Sequence, residues 1–164
     1  MAEPRRDSST PPPRLEGGKL LIVEARFYEG IGAMLMEGAR RAIATAGATS
    51  DVITVPGSLE IPIAAAIALD AAERAGRPYD GLIALGCVIR GETFHFEIVA
   101  GESSRALIDL GVARRLPLGN GILTVENEAQ ALVRADPSQG DKGGDAARAA
   151  IALAVLKRAA GRAK

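Results

Sequence analysis

The stretch Gly81-Leu82-Ile83-Ala84-Leu85-Gly86-Cys87-Val88-Ile89-Arg90-Gly91-Glu92-Thr93-Phe94-His95-Phe96-Glu97 fixes the architecture of the chain. Its first nine residues are apolar nearly throughout, as expected of a strand covered on both faces. The run then turns polar at Arg90-Gly91, passes Glu-Thr and presents His95, the one histidine of the 164-residue chain. Imidazole is the only side chain whose ordinary pKa lies near neutrality. A buried strand that ends in a loop carrying a proton-transfer group has this form. A histidine that merely packs, or caps a helix, would look the same in isolation.

Outward from that strand, apolar runs and helix-spaced segments alternate. Residues 19–24 (KLLIVE) predict a short strand, followed by a polar loop through Arg26, Phe27 and Gly30. Residues 31–46 have helical spacing, stopped by Gly47, and residues 51–55 predict a second strand ended by Pro56-Gly57. A helix is expected from Ser58, as N-cap, to about residue 75, with Pro62 in its first turn. Beyond the strand at 81–89 come a helix over 97–111, a strand over 118–124, a short helix over 126–135 and a last helix over 144–160. Alternating elements of this length predict a single-domain, three-layer α/β/α fold. Right-handed crossovers make a four-stranded parallel, flavodoxin-like sheet the natural topology.

The composition narrows the functional classes. Lys plus Arg and Asp plus Glu both number 20, so no net charge draws the chain to nucleic acid or an anionic membrane. Three Phe, two Tyr and no Trp leave little aromatic surface on which bases could stack. No stretch reaches the ~18 apolar residues of a membrane span. Residues 1–18, with Pro11-Pro12-Pro13 and three arginines but no apolar signal region, read as a disordered tail, leaving 19–164 as the folded domain. The single cysteine excludes an intrachain disulfide and fits a reducing cytoplasm. Cys87 reads better as a buried strand residue than as a nucleophile. The helix beginning near residue 59 is rich in Ala and Ile nearly all round, and the last helix is also strongly apolar. A small sheet covers one side of such a helix, so a homo-oligomer is expected to cover the other.

In open α/β sheets ligands lie beyond the carboxyl ends of the strands. Four loops occupy that edge: one with Arg26 and Phe27, one with Ser58, Leu59 and Glu60, one with Gly91 to His95, and one with Glu126 and Asn127. A ring, a carboxylate, a glycine-threonine turn and a histidine together suit a polar heterocycle plus an anion. Singly, Phe27 could be a hydrophobic staple, Glu60 a complement to a helix dipole, and Arg134 and Lys142 solvated charges. The glycine fingerprints of nucleotide folds are absent.

Ala25-Arg26-Phe27, Val55-Pro56-Gly57-Ser58-Leu59-Glu60-Ile61-Pro62, the run from Gly86 to His95, Gly121-Ile122-Leu123-Thr124, Glu126-Asn127, Arg134-Ala135 and Lys142-Gly143 follow one another in order. Together they resemble lumazine synthase, the 6,7-dimethyl-8-ribityllumazine synthase family of riboflavin biosynthesis, over about residues 20–157. The resemblance implies a condensation, with no cofactor and no metal, of 5-amino-6-(D-ribitylamino)uracil with 3,4-dihydroxy-2-butanone 4-phosphate. It implies that Phe27 stacks on the pyrimidine, that Ser58, Leu59 and Glu60 line it, and that Cys87, Val88 and Ile89 offer backbone groups. Glu92, through its N–H, and Thr93 would hold the phosphate with Arg134, His95 would donate and accept protons, and Lys142 would contact the ribityl chain or phosphate. It further implies a pentamer, or a multiple of pentamers, whose sites take Asn120, Arg134 and Lys142 from the neighbouring subunit. The chain departs from the family pattern at Asn120, where many members carry an aromatic, and at Tyr28 and Asp141, where an Asn is common. A non-catalytic flavin- or lumazine-binding or shell-forming paralogue would keep the fold but has no need of His95 or Arg134.

Overall fold

Residues 12–162 are described by the computed structural model. In chain order they form β1 (Lys19–Ala25), α1 (Glu29–Thr45), β2 (Thr49–Val55), α2 (Glu60–Arg74), β3 (Gly81–Ile89), α3 (His95–Arg114), β4 (Leu118–Val125), α4 (Glu128–Ala135) and α5 (Lys142–Arg162). The strands make one parallel sheet in the order β2-β1-β3-β4, with Val23 opposite Ile53 on one side and Ala84 on the other. This is the expected three-layer, flavodoxin-like arrangement.

Strand alternation sorts the core into two layers. Leu20 and Ile22 of β1 and Ile83 and Leu85 of β3 pack with Leu35, Ile43 and Ile151 beneath α1 and α5. Leu21, Val23, Leu82 and Ala84 point the other way, against Ile61, Leu69 and Leu107 of α2 and α3. Burying each such Leu or Ile is worth roughly 1.5–3 kcal/mol, so β1 and β3, buried on both faces, anchor the molecule.

Element ends differ from expectation where a tertiary contact outweighs a local signal. Ser58 does not cap α2: Leu59 stands at the cap, and the Ser58 side chain is buried beside Gly86 instead. α3 starts at His95 and passes through Gly111, ending where Arg115 adopts a left-handed φ of 49° and the Leu116 N–H reaches Gly111 O at 2.9 Å. α4 starts at Glu128, because the Asn127 side chain accepts the Gln130 N–H at 3.0 Å. α5 starts at Lys142, behind a buried Asp141 with φ of 45° whose Oδ1 accepts the Gly144 N–H at 3.3 Å.

The tail expected over residues 1–18 begins to pack before its end. Leu15 is buried in the core under α1, and its N–H donates to Ala46 O at 2.8 Å. Residues 1–11 lie outside the described residues. The apolar girth of α2 divides as its composition suggests: Ile61, Ala65 and Leu69 are buried, whereas Ile63 and Ile67 stand more than 60% exposed in the single chain. No described helix is long and apolar enough to cross a membrane.

Candidate active site

The connection from β1 leads outward to β2 and that from β3 leads the opposite way to β4, so the strand order reverses between β1 and β3. A crevice opens at the carboxyl end of such a switch point. The loops after β1 and β3 border it, and the β2–α2 loop flanks it.

From β1, Phe27 projects with 73% of its surface exposed, its ring edge-on to Tyr28 at 5.1 Å. So large an exposed ring is not a core staple. Below it lies a group that sequence reasoning missed. Glu24 is 3% exposed, and its Oε1 accepts from Arg26 Nε at 2.9 Å and from Thr54 Oγ1 at 3.0 Å. Its buried Oε2 has no hydrogen-bond partner among the described residues. The carboxylate ties β1 to β2 beneath the Phe27 turn. An acid closing an otherwise apolar strand run was the signal available.

From β2, Glu60 opens α2 and folds back, its Oε2 2.9 Å from where a Cβ on Gly57 would stand. Gly57 thus leaves room for the carboxylate over the turn. From β3, Cys87 faces the α1 layer while Val88 and Ile89 are half-buried at the strand end. Burial pushes the Cys87 thiol up to about 11, the opposite of an activated nucleophile. Native protein is therefore expected to resist iodoacetamide at pH 8 and to react fully once unfolded in urea. Rapid labelling of the native thiol would contradict this environment. Because this pKa is raised in the folded state, its contribution to stability is full below the unfolded thiol's pKa and is lost as pH climbs through 11.

Glu92, Thr93 and His95 are all exposed, with His95 as the first residue of α3. Phe27, Ser58, Leu59, Glu60, Cys87, Val88, Ile89, Glu92, Thr93 and His95 therefore share one edge of the sheet. Asn120, Arg134 and Lys142 belong to other elements, β4, α4 and the start of α5. Asn120 pairs with Ala84 midway along the sheet, and its Oδ1 accepts the Ile122 N–H at 3.0 Å. Arg134 Nη1 donates to Gln130 O of its own helix at 3.0 Å. Lys142 Nζ donates to Asp145 Oδ2 at 3.1 Å. No group of three or more His, Cys, Asp or Glu suited to a metal ion occurs among the described residues.

A family model described as 6,7-dimethyl-8-ribityllumazine synthase matches residues 17–158. The chain belongs to this family. Among similar relatives named 6,7-dimethyl-8-ribityllumazine synthase, that of Methylocella silvestris is 62% identical, covering 98% of both chains. Those of Rhodopseudomonas palustris and Azorhizobium caulinodans are 61% and 60% identical, covering 96% of this chain and 97% and 98% of theirs. In this member of the lumazine synthase family Asp141 helps to hold the start of α5, since Arg148 Nη2 donates to its Oδ2 at 2.8 Å.

Proposed function

We propose that the chain is a transferase of riboflavin biosynthesis that condenses 5-amino-6-(D-ribitylamino)uracil with 3,4-dihydroxy-2-butanone 4-phosphate to 6,7-dimethyl-8-ribityllumazine. The observation that carries this reading is the placement of Phe27, Glu60 and the His95 loop on the connections that leave the carboxyl ends of β1, β2 and β3, beside the switch point. The exposed Phe27 ring stacks on the pyrimidine, while Ser58, Leu59 and Glu60 line it and Glu60 reaches ribityl hydroxyls. Backbone groups of Cys87, Val88 and Ile89 meet the edge of the heterocycle. The Glu92 N–H and Thr93 hold the phosphate near the start of α3, where helix N–H groups favour an anion.

The 5-amino nitrogen attacks the ketone carbon, and loss of water leaves an imine. Removal of a carbon-bound proton then expels inorganic phosphate. The resulting enol becomes a ketone, which the ribityl-bearing nitrogen attacks, and a second water leaves as the ring closes. His95 donates and accepts protons in these steps. Bringing two substrates together is worth roughly 7–11 kcal/mol in favourable cases, and proton transfer adds roughly 10²–10⁴-fold. The division of labour therefore favours positioning.

The assembly completes the site: a pentamer or multiple of pentamers in the cytoplasm, with Asn120, Arg134 and Lys142 reaching a neighbour's crevice. The placement of these three on β4, α4 and the start of α5, outside the loops that follow β1, β2 and β3, suits this arrangement, as do exposed Ile63 and Ile67. Light scattering is expected to give the mass of five chains or a multiple of five. A monomer at micromolar concentration would remove the shared site. The reaction itself is tested by following phosphate and lumazine together, against the slow uncatalysed background. The two products are expected to rise in equal amounts and at a saturable rate; no acceleration by the assembled protein would refute the proposal.

A further inference from the structure

We propose that Arg90 is the positioning residue for loop 91–95, gripping it from both ends so that its N–H groups and His95 are set for the phosphate-bearing substrate. This inference rests on the synthase reading above. Arg90 directly follows β3, and its own N–H donates to Val125 O at 2.9 Å. Three groups converge on its guanidinium. Nη1 pairs with the Glu97 carboxylate in the first turn of α3. Nε donates to Glu126 Oε2 at 2.8 Å, beyond the end of β4. The Phe96 ring lies 4.1 Å away, centroid to guanidinium carbon.

These contacts begin at the residue before the loop, close on the two residues just after it, and bind both to the β4–α4 connection. The loop has no comparable grip of its own. Gly91, Glu92, Thr93, Phe94 and His95 are exposed, and Glu92, Thr93 and His95 make no side-chain hydrogen bond or ion pair among the described residues. A planar fork that meets two carboxylates while stacking on a ring is arginine's geometry, which the single ammonium of lysine does not reproduce. The guanidinium also holds the Glu97 carboxyl below the ordinary carboxylate range. Exposed ion pairs contribute little to global stability, so the network acts on loop geometry.

The test uses the full-length assembled protein and its Arg90→Gln and Arg90→Lys variants, with each substrate varied in turn. Amide hydrogen exchange is followed across residues 91–95. Arg90→Gln is expected to raise KM for the butanone phosphate roughly 10- to 100-fold, in the range that small misplacement of binding groups produces. KM for the pyrimidinedione and the melting temperature stay near parental values, and exchange in the loop quickens. Arg90→Lys recovers only part of the loss. Parental KM values with parental exchange would overturn the proposal, as would an equal rise in both KM values with a large fall in melting temperature. If the parent protein fails to accelerate the reaction, the synthase reading falls separately. Exchange then still decides the anchor: faster in Arg90→Gln sustains it, and unchanged removes it.

Discussion

His95→Ala is expected to lower single-turnover lumazine formation by roughly 10²–10⁴-fold, the usual contribution of a positioned acid–base group, without abolishing it. On the proposed roles, the residual rate would come from Phe27, Glu60 and loop 91–95, which would still bring the two substrates together. Imidazole is lost without disturbing packing, since His95 is exposed at the start of α3 and lies outside both core layers. The melting temperature should therefore stay close to that of the parent, and product stoichiometry should not change. Rapid-quench measurement of phosphate release under saturating substrates separates chemistry from binding. A single-turnover rate equal to the parent's would remove His95 from proton transfer and leave a site that works by positioning alone.

Gly143→Ala is expected to cost about 3 kcal/mol or more, at or beyond the upper end of ordinary overpacking. A Cβ on Gly143 would stand 2.0 Å from Leu35 O and 2.7 Å from its carbonyl carbon. Those atoms are helix backbone, which cannot rotate aside as a side chain can. α1 and α5 would have to move apart, opening the layer that holds Leu35, Ala147 and Ile151. Gly101→Ala is the matched control, because nothing lies within 4 Å of the added carbon. In mid-α3, relief of glycine's conformational entropy makes that change neutral or stabilising by up to about 1 kcal/mol. Urea denaturation at matched chain concentration checks both, since the proposed assembly would make stability concentration-dependent. Equal stability of Gly143→Ala and the parent would mean that the helices are not in backbone contact there.

The sheet was legible because its information is local. An apolar nine-residue run at β3 and the four-residue run Leu20–Val23 at β1, set between helical segments, suffice to predict parallel strands buried on both faces. Loops at the carboxyl edge could therefore be named from their neighbours in sequence. What escaped depends on distant contacts. Ser58 carries a sound capping signal, yet its side chain is buried against Gly86, 28 positions away. The end of α3 lies at a left-handed Arg115, a conformation that side chains disfavour and composition does not reveal. Glu24 finds Thr54 30 residues on, and Arg90 finds Glu126 36 residues on. Both look like ordinary charges at strand ends until the sheet is assembled. Leu15 sits among prolines and charges, and only its contact under α1 reveals it as core.

Division of the site between neighbouring chains is put to its sharpest test by subunit mixing. His95→Ala and Arg134→Ala chains, each nearly inactive alone, are coexpressed with different tags, and assemblies carrying both are isolated. On the proposed head-to-tail ring, each site would take His95 from one chain and Arg134 from the next, so random mixing would restore both groups at about a quarter of the sites. Activity near a quarter of the parent's is the predicted result. Mixed assemblies no more active than either variant alone would contradict the divided site.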